Sequence, residues 1–252
     1  MHKMSLTDIL KRSLVAGSLL VAPVYAIYSF AVNTNPKQDS IKILSKSELL
    51  SKAEEAYQQD RYEEAVKYYS SAIEKSNIKD PQVYLKLGFS FIQINEYDES
   101  ISNYQKAAQC GATKSTISSQ YDKMNGEAKQ IYNEIFEKFM SKKNTEEYFD
   151  LIKRLDKAFK ISNCSLIKYL QGDISAENGD YTSAIEFLKQ SLKIDPADAI
   201  SYAKLANIFE KNRKCNEVII YNEIALMLDP HNKYKDKKLK SIKNCKSLLG
   251  QN

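Results

Sequence analysis

A chain of 252 residues carrying 37 basic and 32 acidic side chains, for a net charge of +5, is too evenly charged to require a polyanion, which sets nucleic acid aside as a partner. Its lack of tryptophan, its seven glycines and five prolines, and its wealth of Lys, Glu, Ala, Leu and Ile exclude a β-rich fold and predict an all-α protein.

The N-terminus is read first. Lys3, Lys11 and Arg12 precede a stretch without charge from Ser13 to Val32, and Asn33-Thr34-Asn35-Pro36 then opens a polar linker. This layout predicts a signal peptide or N-terminal membrane anchor over 1–32 and a linker over 33–45. Val24-Tyr25-Ala26 behind the apolar run Leu14 to Ala22 offers a small-residue cleavage site. The same charge-free stretch is also long enough to span the ~30 Å hydrocarbon layer, so an uncleaved anchor stands beside cleavage. In both cases the rest of the chain is expected to be exported, periplasmic or held at a membrane by its N-terminus.

Beyond the linker one pattern recurs. Ala53-x-x-Ala56 is followed by Ala65-x-x-x-Tyr69-x-x-Ala72, and Leu87-Gly88-x-x-Phe91 by Ser100-x-x-x-Tyr104-x-x-Ala107. Gly172-x-x-Ser175 leads to Ala184-x-x-x-Leu188-x-x-Ser191, and Leu205-Ala206-x-x-Phe209 to Val218-x-x-x-Asn222-x-x-Ala225. Within a unit, residues such as Tyr202, Leu205, Ala206 and Phe209 fall at i, i+3, i+4 and i+7, which is one stripe of a helix. Asp195-Pro196 and Asp229-Pro230 stop the second helices, because proline cannot continue the hydrogen-bond ladder. The small residues let paired backbones approach.

The units predict two repeats over 46–110 and two over 165–232. The register between them is broken by about one helix, which assigns 111–131 to an inserted segment, a short helix or a crossover. A degenerate repeat over 132–164 follows, with Ile135, Phe136 and Phe139 in its first helix and Tyr148, Leu151, Leu155 and Ala158 in its second. At the C-terminus, 233–252 holds seven lysines between Lys233 and Lys246, interleaved with Leu239, Ile242, Cys245 and Leu249. That stripe predicts a capping helix that buries Leu239, Ile242, Cys245 and Leu249 on the last repeat and turns its lysines to water.

At this spacing of about 34 residues the chain resembles the tetratricopeptide repeat family. The resemblance implies a right-handed superhelical α-solenoid of helix pairs with a C-terminal capping helix, in which each repeat touches only its neighbours. It also implies an interaction scaffold whose first helices line a groove for a protein or peptide segment. Transferred to this sequence, the groove residues include Leu85, Phe89 and Ile92, then Tyr169 and Asp173, then Asn207. Leu85, Phe89 and Ile92 make their helix apolar on a second side, and either anchor a ligand or are covered by the chain itself, for instance by the segment around Ile41 to Leu44.

The repeat register also places Cys215 in the turn of the last repeat and Cys245 late in the cap beside it, a pair that could form a disulfide in an oxidising compartment. Cys110 and Cys164 would stand at the limit for a bridge. No linear motif for catalysis, metal or cofactor is present: His2 and His231 are isolated, and the cysteines lack zinc spacing. The expected function is a non-enzymatic, cofactor-free scaffold of the cell envelope that binds a partner segment. The alternatives are an accessory subunit meeting acidic lipid or a partner through the basic C-terminal helix, and an organelle-membrane receptor.

Overall fold

The computed structural model describes residues 43–141 and 148–250, and all its regular secondary structure is α-helical. The segment read as a signal or anchor lies outside the described residues, among which no helix is long and apolar enough to cross a membrane. Twelve helices lie wholly within the described residues: α1 (Lys46–Gln58), α2 (Tyr62–Lys75), α3 (Pro81–Gln93), α4 (Tyr97–Gln109), α5 (Ile117–Asp122), α6 (Gly126–Met140), α7 (Tyr148–Ile161), α8 (Ser165–Glu177), α9 (Tyr181–Ile194), α10 (Ala199–Lys211), α11 (Cys215–Leu228) and α12 (Lys235–Leu248).

Local chemistry explains where the helices begin. Ser45 and Glu48 form a reciprocal capping box, the Ser45 Oγ accepting from the Glu48 N–H at 3.3 Å and the Glu48 carboxylate accepting from the Ser45 N–H at 2.7 Å. Asp80 caps α3 ahead of Pro81, whose missing N–H costs nothing at the first helical position. Asn125, Asp180 and Asp198 cap α6, α9 and α10 through the same kind of side-chain acceptor.

One turn is built inside four helix pairs and again after α4, where Gly111 has φ 89° and the Ala112 N–H returns to the Ala107 carbonyl. Asp60, Asn95, Gly179 and Arg213 each adopt positive φ (59°, 63°, 83° and 56°) between the two helices of a pair. In every case the following N–H reaches back to a carbonyl of the first helix: Arg61 to Ala56, Glu96 to Phe91, Asp180 to Ser175 and Lys214 to Phe209. Only glycine takes this conformation freely, and a side chain there costs about 1 kcal/mol, which the satisfied carbonyls offset.

Within each pair the crossing point is tight. A Cβ on Gly88 would meet the Tyr104 ring at 2.8 Å, and one on Gly172 would meet Leu188 Cγ at 2.7 Å. The pair α6–α7 carries the fully buried Ile135 where α3 and α8 have glycine, and it is the most loosely packed pair. Phe136 and Phe139, read from sequence as part of this first helix, are exposed and half-buried respectively, because Ala128, Tyr132 and Ile135 form the buried stripe.

The packing between pairs departs from a nearest-neighbour stack. Helices α1 to α4 form a first run and α6 to α12 a second, and the first run lies directly on the last two repeats: α4 packs on α11 and α3 meets α9. Their buried side chains join in one core, while α5 to α8 build a second around Tyr132, Leu155 and Ile167. At the seam the Tyr104 and Tyr202 hydroxyls share a short hydrogen bond between fully buried rings whose centroids lie 5.6 Å apart. Tyr57 Oη donates to the Lys193 carbonyl at 2.9 Å, and Lys193 Nζ answers with the Gln58 carbonyl at 3.0 Å and Asp60 at 2.7 Å. Lys114 pairs with Asp229 at 2.9 Å, and the Ser115 N–H donates to the Ala197 carbonyl at 3.2 Å.

The capping helix α12 is rotated from the expected stripe. Ile242 and Cys245 are buried, but Leu239 and Leu249 are 45% and 40% exposed, and Lys238 and Ser241 are buried instead. The reason is that Lys238, Ser241, Ile242 and Cys245 themselves form an i, i+3, i+4, i+7 face, with a lysine stem serving as apolar surface. Ser241 Oγ donates to Glu210 at 2.7 Å and fixes that rotation.

The seam generates a test. Tyr104→Phe leaves the Tyr202 hydroxyl buried without its partner and is expected to cost about 1–3 kcal/mol in urea unfolding. The double substitution Tyr104→Phe, Tyr202→Phe is expected to cost less than the sum of the two single ones. Simple additivity would show that the hydroxyl pair does not join the runs.

Candidate functional site

The six sequence-predicted partner-binding residues divide into two groups. Leu85, Phe89 and Ile92 are buried, with 0%, 1% and 3% of their surface exposed. The apolar second side of α3 is therefore consumed by the chain, and the open groove expected at these residues is corrected to an internal seam. Of the segment around Ile41 to Leu44, Ile41 and Lys42 lie outside the described residues, Ile43 is 85% exposed and Leu44 packs half-buried on the same core; over Phe89 itself the cover is a different one. It comes from Tyr57 and Tyr62, whose rings stand edge-on to Phe89 with centroids 5.9 Å away, and from the approach of α9 to α3. Edge-to-face rings of this kind favour a fixed arrangement over a surface that adapts to a ligand.

A cleft of about 690 Å³ opens along this seam between α3 and α9, with Phe89 in its lining. Two of its three lysines already serve the fold, Lys86 paired with Glu54 at 2.7 Å and Lys193 with Asp60 at 2.7 Å. Glu54 also accepts from Tyr69 Oη at 2.8 Å, and these hydrogen bonds hold its carboxyl below the usual range although burial works against the charge.

Tyr169, Asp173 and Asn207 stand elsewhere, on the face made by the first helices α6, α8 and α10. The sequence places Tyr169 and Asp173 four residues apart on α8, so both project on one side of that helix. Asp173 takes the ammonium of Lys204 from α10 in a short ion pair, and Glu177 completes the arrangement at 3.3 Å. Burial opposes the charge of Lys204, but the hydrogen bonds and charges of Asp173 and then Glu177 raise it above the usual lysine range. Asn207 lies exposed on α10, and Tyr169 is half-buried with its hydroxyl pushed up, first by burial and then by Asp173 and Asp198.

The inserted segment contributes two features that sequence reading did not assign to the site. Thr116 caps α5 in a reciprocal box with Ser119, which sets Ile117 against α8 and α10. Ile117 and Ile200 remain 51% and 36% exposed at the lip of a crevice of about 10 Å³ that Tyr169 also lines. Gln120 Nε2 and Ser165 Oγ lie buried there without a hydrogen-bond partner among the described residues. The visible signal was Thr116 three residues ahead of Ser119; the tertiary position of α5 had none. The outcome is a surface with an aliphatic and aromatic edge beside a lysine held between two carboxylates.

The cysteines are all free thiols. Burial, followed by the neighbouring Cys215 thiol, pushes Cys245 up to about 12. Cys110 and Cys164 are not brought together: Cys110 edges the larger core beside Tyr84, and Cys164 donates to the Gln120 carbonyl at 3.2 Å in the smaller one.

Residues 50–115 match a family model described as tetratricopeptide repeat, and residues 172–212 match one described as TPR repeat. A TPR repeat-containing protein of Methanocaldococcus jannaschii is 24% identical over 201 residues, covering 79% of this chain and 34% of its own length, so the chain spans about a third of that relative. Among solved structures, MamA is 18% identical, with 76% of this chain and 94% of that one covered at a TM-score of 0.36. PilF of Pseudomonas aeruginosa is 14% identical, with 82% and 85% covered at 0.41.

The placement of Phe89 is testable. Phe89→Glu puts a charge into the seam with no partner and is expected to lower stability by about 3 kcal/mol or more. An unchanged thermal melt would mean that the ring is free to face a ligand.

Proposed function

We propose that this tetratricopeptide-repeat protein is a protein-binding scaffold whose second run, at the face of α8 and α10, takes an extended segment of a partner. The observation that carries the reading is the division of labour between the runs. The first-helix surface of α3 is spent on the fold, whereas Tyr169, Asp173, Glu177, Lys204 and Asn207 form a polar cluster beside the exposed Ile117 and Ile200. Exposed apolar side chains next to fixed charges suit recognition of a chain that offers both backbone polar groups and a hydrophobic anchor.

The basic C-terminal helix supports the alternative less well. Lys238 is buried and Lys246 is engaged by Glu223 at 2.9 Å, so part of its charge belongs to the fold. Salt separates the two readings, because a contact driven by exposed lysines weakens steeply between low and physiological ionic strength.

Placement at the cell envelope is part of the same proposal and rests on the charge-free stretch Ser13 to Val32 behind Lys11 and Arg12. Cell fractionation with terminal sequencing is expected to find the repeats outside the cytoplasm or tethered to a membrane. Full-length protein free in the cytoplasm would overturn the placement and leave the binding reading intact.

For binding, a photoreactive residue at Asn207 is expected to cross-link one defined partner polypeptide. Asn207→Arg, a change at an exposed position, is expected to lower the affinity for that partner about tenfold or more with an unchanged melt. Equal cross-linking from Lys157 on α7, away from this face, would overturn the site.

A further inference from the structure

The contact between α11 and α12 brings together two thiols of different character. Cys215 is the first residue of α11 and partly exposed, while Cys245 lies in the last turn of α12 and is 7% exposed. Cys245 belongs to the larger buried core and Cys215 packs against that core, the two standing at the same end of this antiparallel helix pair. Polar contacts on both sides hold the helices in this register: Ser241 Oγ donates to Glu210 of α10 at 2.7 Å, and Lys246 Nζ to Glu223 of α11 at 2.9 Å. Neither of the other cysteines has a second thiol beside it, Cys164 being engaged with the Gln120 carbonyl.

We infer that Cys215 is a thiol-modification site that takes a low-molecular-weight disulfide and passes it to Cys245, closing a covalent link between the last repeat and its capping helix. The order follows from access. Reagent in solution meets the Cys215 sulfur, and Cys245 is shielded by the chain and kept protonated by its burial.

The chemistry balances in two exchanges. Cys215 gives its proton to solvent and attacks one sulfur of the disulfide RSSR; the S–S bond breaks and one RS⁻ leaves to be protonated. Cys245 then loses its proton to water and attacks the Cys215 sulfur of the mixed disulfide, and the second RS⁻ departs. Two protein thiols are oxidised and one RSSR is reduced to two RSH.

The link fastens the end of the array. α12 covers the apolar side of α11, and a bond between residues 215 and 245 removes the open conformations in which that helix lifts away. The consequence reaches the proposed binding face only through α10, so the inference stands or falls independently of that reading.

The experiment uses the full chain, natively folded, incubated with oxidised glutathione and then mapped by mass spectrometry without reductant. The expected product is the Cys215–Cys245 linked peptide, with amide exchange in α12 slowed about tenfold or more. Cys245→Ser is expected to accumulate glutathione on Cys215, and Cys215→Ser to leave Cys245 unmodified while folded. A wild-type adduct that persists on Cys215 without closing, a link formed only between chains, or modification of Cys245 in the Cys215→Ser protein would each overturn the inference. The wild-type arm decides alone if a serine variant unfolds.

Discussion

The hydroxyl pair of Tyr104 and Tyr202 is the contact on which the arrangement of this molecule depends. Two phenolic groups buried from water cannot be left unpaired without a cost of about 1–3 kcal/mol each, and here each satisfies the other across the seam between the two runs of helices. Tyr202 in turn lies near the Tyr221 ring, with centroids 6.0 Å apart, and Tyr221 stacks on Phe209 at 5.3 Å, so the hydroxyl contact is continuous with the core of the last repeat. Once this pair is made, α3 faces α9 and the apolar second side of α3 has its cover. A stack in which each repeat met only the next would leave that side wet.

The seam therefore assigns different work to equivalent surfaces. In the first run the residues that could have bound a partner stabilise the fold. In the second run the corresponding face carries a lysine between Asp173 and Glu177, beside Ile117 and Ile200, and it stays accessible. The inserted α5 is responsible for part of this difference, since it brings Ile117 to a surface to which the repeat pattern alone contributes Tyr169 and Ile200. The buried polar atoms at this crevice, Gln120 Nε2 of α5 and Ser165 Oγ of α8, are the kind of groups that ordered water satisfies.

The turn chemistry gives the repeat an identity that hydrophobic spacing does not fully express. Asp60, Asn95, Gly179 and Arg213 share one backbone conformation and one hydrogen-bond pattern, although only the first three are of types that visit the left-handed region readily. A reading based on small and aromatic positions passes over them, because an arginine in the left-handed region carries no sequence signal; only the return bond from Lys214 to the Phe209 carbonyl reveals it. The looser pair α6–α7 shows the same limit from the other side. Phe136 and Phe139 look like core from their type, yet Ile135 fills the crossing point and leaves Phe136 at 41% exposure.

What the sequence determined by itself is the local architecture: helices from period and caps, pairing from Gly88, Gly172 and Ala206, and stops from Asp195-Pro196 and Asp229-Pro230. These follow from interactions within about 34 residues, so a linear pattern can carry them. The neighbourhood of Cys215 and Cys245 belongs to the same class, being set by one helix laid against the next. What only the tertiary structure decided is which faces remain free. An apolar face on α3 reads the same whether a ligand or another part of the chain covers it, and the cover comes partly from α9, far along the chain. The rotation of α12 was equally undetermined, because a lysine stem packs as well as a leucine when its ammonium can reach water, and Ser241 finding Glu210 selects between the two stripes.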